Sequence, residues 1–226
     1  MMEKESKISA NDKYSLPGMV YQKLHEDILS GIYKKDDMLK EGIIGEKLGV
    51  SRTPVREALR QLELEGLVKI VPNKGAYVIG ISTKDIRDIY EMRASLEGLC
   101  ARWVTKNADE EGINRLEEIV ELAEFHCEKK KYSKVVGLDN EFHELMYNLA
   151  DSKMLYRTLS DFHHYLEVIR KKTLSSDERV SKSVQEHRDI IEAIKAGKED
   201  EAEKFAILHM KNTMDYIDGH NVWGDL

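Results

Sequence analysis

Proline disappears from this chain after Pro72, so the last 154 residues contain nothing that would both remove a helical hydrogen bond and clash with the preceding turn. With only scattered single glycines and apolar residues at helical spacing, that stretch reads as long helices joined by short loops. Cysteine is scarce as well. Cys100 and Cys127 cannot build a disulfide framework, and they do not form a CxxC pair suited to zinc or redox work. No run approaches the ~20 apolar residues of a membrane-spanning helix, and the polar start MMEKESKISANDKYS lacks the apolar core of a signal peptide, so a cytoplasmic protein with no membrane partner is expected. Net positive charge is also lacking: the chain carries -7, which argues at first against nucleic acid.

What is present points to a globular protein. Apolar residues make up 41% and charged residues 34% of 226, too apolar for disorder and long enough for one large or two modest domains. The charge is unevenly spread. Residues 1–80 hold 13 basic against 12 acidic side chains, and the rest of the chain carries the negative excess. All three prolines and eight of the 14 glycines also lie in those first 80 residues. We therefore expect a turn-rich domain over 14–80 and an all-helical one over 81–226.

In the first part, Met19, Leu24, Ile28 and Leu29 predict a helix that stops at Gly31. EGIIGEKLGV predicts a short second helix with Ile43, Ile44 and Leu48 on one side and Gly49 as its stop. In SRTPVREALRQLELEG, Thr53 can cap a third helix, Pro54 suits its first turn, and Val55, Leu59 and Leu62 form its buried stripe. Two helices joined by a tight glycine turn make a helix-turn-helix, with Arg52, Thr53 and Arg56 directed away from the stripe. GLVKIV and GAYVIGI predict a β-hairpin wing about PNKG. The two arginines either solvate an exposed face or offer forked guanidiniums to guanine edges, beside backbone N–H groups that suit phosphate.

The run LGVSRTPVREALRQLELEGLVKIVPNKGAYV, residues 48–78, resembles the DNA-binding signature of GntR-type bacterial transcription regulators. The resemblance implies that Ser51, Arg52, Thr53 and Arg56 open the recognition helix and that Asn73, Lys74 and Gly75 form the wing tip near the minor groove. Members often carry a polar or basic DNA contact early in the preceding helix, where this chain has Gly42 and Ile43.

The second part predicts about six antiparallel helices, near 83–106, 109–130, 133–150, 152–174, 178–197 and 199–218. Arg93 and Glu97 fall on the apolar stripe of the first, either as an ion pair at the core's edge or as a ligand-binding arginine oriented by its partner. Asp139 and His143 leave one helix face four residues apart, while His187 and His209 sit on the apolar faces of two later helices. Each could be a satisfied core group. Together, an oxygen and three imidazole nitrogens can surround one divalent ion, with zinc preferred and nickel or manganese compatible.

The R-x-x-x-E, D-x-x-x-H and E-H-x-x-I-I-x-A-I patterns resemble the FadR-type, FCD-type C-terminal domain of GntR regulators. Its metal-containing branch implies Asp139, His143, His187 and His209 as ligands and a small organic acid as the signal. The expected function is a ligand-responsive, homodimeric repressor on a palindromic operator, with Arg93 and Glu97 at the effector and no enzymatic activity. The alternatives are a metal-dependent hydrolase or isomerase, or a regulator for which the metal itself is the signal.

Overall fold

The structure is a computed structural model that describes residues 15–72, 74–166, 169–170, 173–174 and 176–220. Contacts divide the chain into two compact units, Met1–Ser82 and Thr83–Leu226.

The first unit opens with α1 (Leu16–Leu29), whose cap Ser15 accepts a hydrogen bond from the Gly18 N–H at 3.4 Å. Val20, Leu24 and Ile28 form its buried side. Then follow β1 (Met38–Leu39), α2 (Glu41–Leu48), α3 (Arg52–Leu64), β2 (Val68–Val71) and β3 (Gly75–Val78). Gly49 ends α2 with φ 71°, a left-handed conformation glycine adopts without steric cost. Val55, Leu59 and Leu62 bury the inner face of α3.

Three local expectations are corrected. The residue capping α3 is Ser51, in extended conformation, rather than Thr53; Pro54 still falls where the N–H has no intrahelical acceptor. Ile43 is 61% exposed, because Gly45 is pressed against the turn and Ile43 lies roughly 200° around the helix from it. The wing is more than a hairpin, since β1 pairs antiparallel with β3 to give the strand order β1-β3-β2.

The second unit contains α4 (Thr83–Asn107), α5 (Glu110–Glu128), α6 (Tyr132–Leu149), α7 (Lys153–Tyr165), α8 (Asp177–Lys195) and α9 (Glu199–Gly219). Asp109, Ser152 and Ser176 cap α5, α7 and α8 through side-chain bonds to backbone N–H groups. The helices enclose a core that includes Cys100, Val104, Leu116, Phe142, Leu159 and Ile191. The fourth helix, expected to run to residue 174, ends at Tyr165. Residues 169, 170 and 173 are helical again, with the Arg170 N–H bonded to the Leu166 carbonyl at 2.9 Å, and Arg170 Nη1 donates to the carbonyl of His163 at 3.0 Å, satisfying a last-turn acceptor where the helix is interrupted. No described helix is long and apolar enough to cross a membrane.

Candidate functional sites

At the start of α3, Ser51, Arg52, Thr53 and Arg56 are all exposed. Their disposition is set by α2. Arg56 donates from Nε and Nη2 to the two carboxylate oxygens of Glu41, at 2.8 and 2.6 Å. That hydrogen-bonded guanidinium holds the Glu41 carboxyl below its usual range, with Arg52 and Arg60 adding their charges. Arg52 lies over Gly42, where an added Cβ would sit 3.4 Å from Nη2. The start of α2 at Gly42 is thus covered by Arg52 itself. At the wing, Lys74 is exposed and Gly75 has φ 123°, while Asn73 lies outside the described residues.

In the second unit the charged pair on α4 is fully internal. Arg93 and Glu97 are 1% and 4% exposed and hydrogen-bonded to each other, and Tyr147 from α6 closes the group. Its hydroxyl donates to Glu97 at 2.6 Å and accepts from Arg93 Nη2 at 3.1 Å. Burial alone would raise the Glu97 pKa, but the charges of His143 and Arg93 and the bonds to its oxygens bring it well below the carboxylate norm.

His143, His187 and His209, from α6, α8 and α9, offer ring nitrogens within 4.8 Å of one another, all buried. His187 Nε2 and His209 Nε2 are 3.3 Å apart. Nitrogens about 2.0 Å from a tetrahedral ion are themselves about 3.3 Å apart, so this pair already has the spacing of zinc ligands. The other ring nitrogens support that fit: His209 Nδ1 lies 2.7 Å from Glu186, and His143 Nδ1 lies 3.5 Å from Glu97. The Glu186 carboxylate bonded to His209 orients that ring and makes it a better ligand, whereas His143 Nδ1 has no hydrogen-bond partner among the described residues. Burial lowers the pKa of His187 well below normal, and it lowers that of His209 against an opposing bond to Glu186. Both rings are thereby kept in the neutral form that binds metal. Phe142 stacks on His187 at a centroid distance of 4.1 Å and fixes its plane.

Asp139 stands at the edge of this group. Its Oδ1 is 3.8 Å from His187 Nε2, and its buried Oδ2 has no hydrogen-bond partner among the described residues. The structure therefore brings the three histidines together and leaves the aspartate one short movement away. Beside them is a small cavity with about 20 Å³ of room for water centres, against about 10–15 Å³ for one water. Arg93, Asp139, His143 and His209 line it together with Arg170 and Arg179.

Sequence reasoning missed Glu41, Tyr147, Arg170, Arg179 and Glu186. Arg179 donates to Glu186 at 3.0 Å and to Thr213. Only Glu186 had a legible signal, as the acid directly before His187.

Two family models match: the gntR family of bacterial regulatory proteins over residues 16–78, and the FCD domain over residues 88–212. The chain belongs to the GntR family, in the group with an FCD domain. Among GntR-family relatives, the uncharacterized HTH-type regulator YdhC of Bacillus subtilis is 28% identical over 198 residues, covering 87% of this chain and 88% of the relative. The HTH-type transcriptional repressor RspR of Escherichia coli is 25% identical over 198 residues, with 88% and 87% covered. The solved structure of E. coli McbR/YncC shares the fold with a TM-score of 0.72 at 18% identity, over 92% of this chain and 99% of that one. This GntR protein is a DNA-binding transcription regulator with a ligand-binding FCD domain, and the hydrolase reading gains no support from its relatives.

Proposed function

We propose a cytoplasmic, homodimeric repressor of the FadR subfamily, with residues 14–80 binding a palindromic operator and residues 81–226 supplying dimerisation and effector binding. Ser51, Arg52, Thr53 and Arg56 enter the major groove, and Asn73, Lys74 and Gly75 follow the backbone near the minor groove. His143, His187 and His209 hold one divalent metal, zinc in preference to nickel or manganese, and Asp139 completes the ligand set. When bound, the metal supplies an open coordination position for a small carboxylate. Arg93, oriented by Glu97, faces that carboxylate, and differential binding of the effector to two dimer geometries shifts operator affinity.

The observation that carries this reading is the convergence of three buried imidazoles, one of them bonded through Nδ1 to a carboxylate. Core histidines need one partner each; they do not need to face one another. Elemental analysis of purified protein, followed by gel shifts of metal-loaded and chelated protein with small carboxylates, tests it. A protein that takes up no divalent metal and ignores every carboxylate would return these residues to the role of core groups. Equilibrium sedimentation of the full chain tests the dimer, which a strict monomer at micromolar concentration overturns.

A further inference from the structure

Four of the residues that line the cavity beside the histidines carry a buried donor without a hydrogen-bond partner among the described residues: Tyr90 Oη, Arg93 Nε, Arg170 Nε and Arg179 Nε. Buried donors left this way each cost free energy unless an acceptor arrives. The occupant must therefore be rich in oxygen acceptors.

The three arginines differ in how firmly they are already held. Arg93 is bonded to Glu97 and Tyr147, and Arg179 is bonded to Glu186 and Thr213. Arg170 is 6% exposed and, among the described residues, has only the His163 carbonyl as a hydrogen-bond acceptor. Asp139 is its countercharge among the described residues, with Nε 3.7 Å from Oδ2, too far for a hydrogen bond. Asp139 in turn stands 3.8 Å from His187 Nε2 on its other oxygen, so one carboxylate lies between a cation and the histidine cluster.

Charge counting then limits the occupant. Arg93, Arg170 and Arg179 are balanced by Glu97, Asp139 and Glu186, and imidazoles must be neutral to coordinate. A divalent ion leaves two positive charges uncompensated in a water-poor site, where unpaired charge is costly.

We propose that Arg170 is an anion-receiving group of this cavity, released from Asp139 when that carboxylate turns to the metal, and that its ligand is a small dianion of the dicarboxylate type. This rests on the metal and effector reading above and adds to it a second cationic contact and a direction of coupling. Metal and dianion strengthen each other's binding by the same factor. Because the cavity as it stands has room for one or two waters, the ligand is compact and displaces lining side chains on entry.

The test uses the full chain, stripped by chelation and titrated with zinc, then with malonate or acetate by calorimetry. Wild type loaded with zinc should bind malonate at least tenfold more tightly than acetate, and malonate should raise zinc affinity. In Arg170→Gln the malonate preference should fall to near unity with acetate little changed. Zinc affinity alone should rise, since Asp139 no longer serves a competing cation. Arg170→Lys keeps the charge near Asp139 and should keep wild-type zinc affinity with intermediate malonate binding. Thermal melts of each variant confirm folding.

An Arg170→Gln protein with an unchanged malonate-to-acetate ratio, or with unchanged or weaker zinc affinity, overturns the proposal. A wild type that binds zinc but neither anion sinks the effector reading, and the zinc titration of Arg170→Gln still decides whether Asp139 is shared. Failure to bind zinc removes the metal reading and this proposal together.

Discussion

Arg56 on α3 is bound through both Nε and Nη2 by the carboxylate of Glu41 on α2, so the arginine proposed to read a base is held by an acid fifteen residues earlier. A pair this exposed contributes little to stability. Its effect is geometric, fixing a fork that would otherwise sample many rotamers. Arg56→Ala should lose about ten- to a hundredfold in operator affinity and relax preference at one base pair. Glu41→Gln should leave folding intact, tighten binding to unrelated DNA and narrow the ratio between operator and non-operator affinity. Gel shifts against both DNA classes measure this; equal affinity of all three proteins for both would remove the pair from the interface.

Lys74 at the wing should behave differently. Lys74→Ala should weaken binding to every sequence and reduce the salt slope by about one unit, the signature of one lost phosphate contact. Loss confined to the operator would instead mark it as a base reader.

Acid should destabilise the metal-free protein. His163 and His187 are held well below the ordinary 6.5 by burial and then by neighbouring cationic groups, and His209 is held below it by burial against the opposing bond to Glu186. The unfolded chain takes up protons near 6.5 while the folded one resists, so stability present above 6.5 is lost as pH falls below it. Each such histidine contributes a slope of about 1.4 kcal/mol per pH unit. Urea midpoints of chelated protein should be flat above pH 7 and decline from 6.5 downward; a midpoint that rises on acidification contradicts the buried neutral state.

Removing the charge behind a ligand should matter almost as much as removing the ligand. Glu186 accepts from Arg179 and stands 2.7 Å from His209 Nδ1. Glu186→Gln should lower metal affinity about 10- to 100-fold, as measured by competition with a chromophoric chelator. Wild-type affinity in that variant would mean the carboxylate serves Arg179 alone.

Gly45 makes the turn of the helix-turn-helix possible. A Cβ there would lie 2.8 Å from the backbone oxygen of Val50, which cannot move without opening the turn. Gly45→Ala should destabilise the first unit by about 1–3 kcal/mol, the usual range for overpacking. Operator binding should fall with it, while metal content of the second unit stays unchanged. Normal operator binding by this variant would show that the turn can relax.

Much of this was legible because local rules and the fold agree. Val55, Leu59 and Leu62 had helical spacing and are buried, Gly49 marked the end of α2, and the missing prolines announced the long helices. The stripes carrying His143, His187 and His209 were visible because imidazoles on apolar helix faces must point inward. What escaped notice depends on contacts between elements distant in sequence. Nothing near Arg170 or Arg179 distinguishes a buried arginine from a surface one, since their burial is decided by elements far along the chain, such as those that carry Tyr90, Arg93 and Thr213. The two-residue β1 is too short for any alternation to register, and Thr53 was preferred to Ser51 because either hydroxyl can begin a helix.

That two-residue strand affects how the DNA-binding unit can be engineered. Asp36 N–H bonds to the Val78 carbonyl at 2.8 Å, Val78 N–H returns to Asp37 at 3.0 Å, and Met38 and Leu39 pair with Tyr77 and Ala76. The wing is therefore anchored to the segment that leads into α2, and it is not an interchangeable hairpin. A chimera that imports residues 68–78 from a relative keeps a working wing only if residues 36–39 travel with it, because β3 is paired on one side to that earlier stretch and on the other to β2.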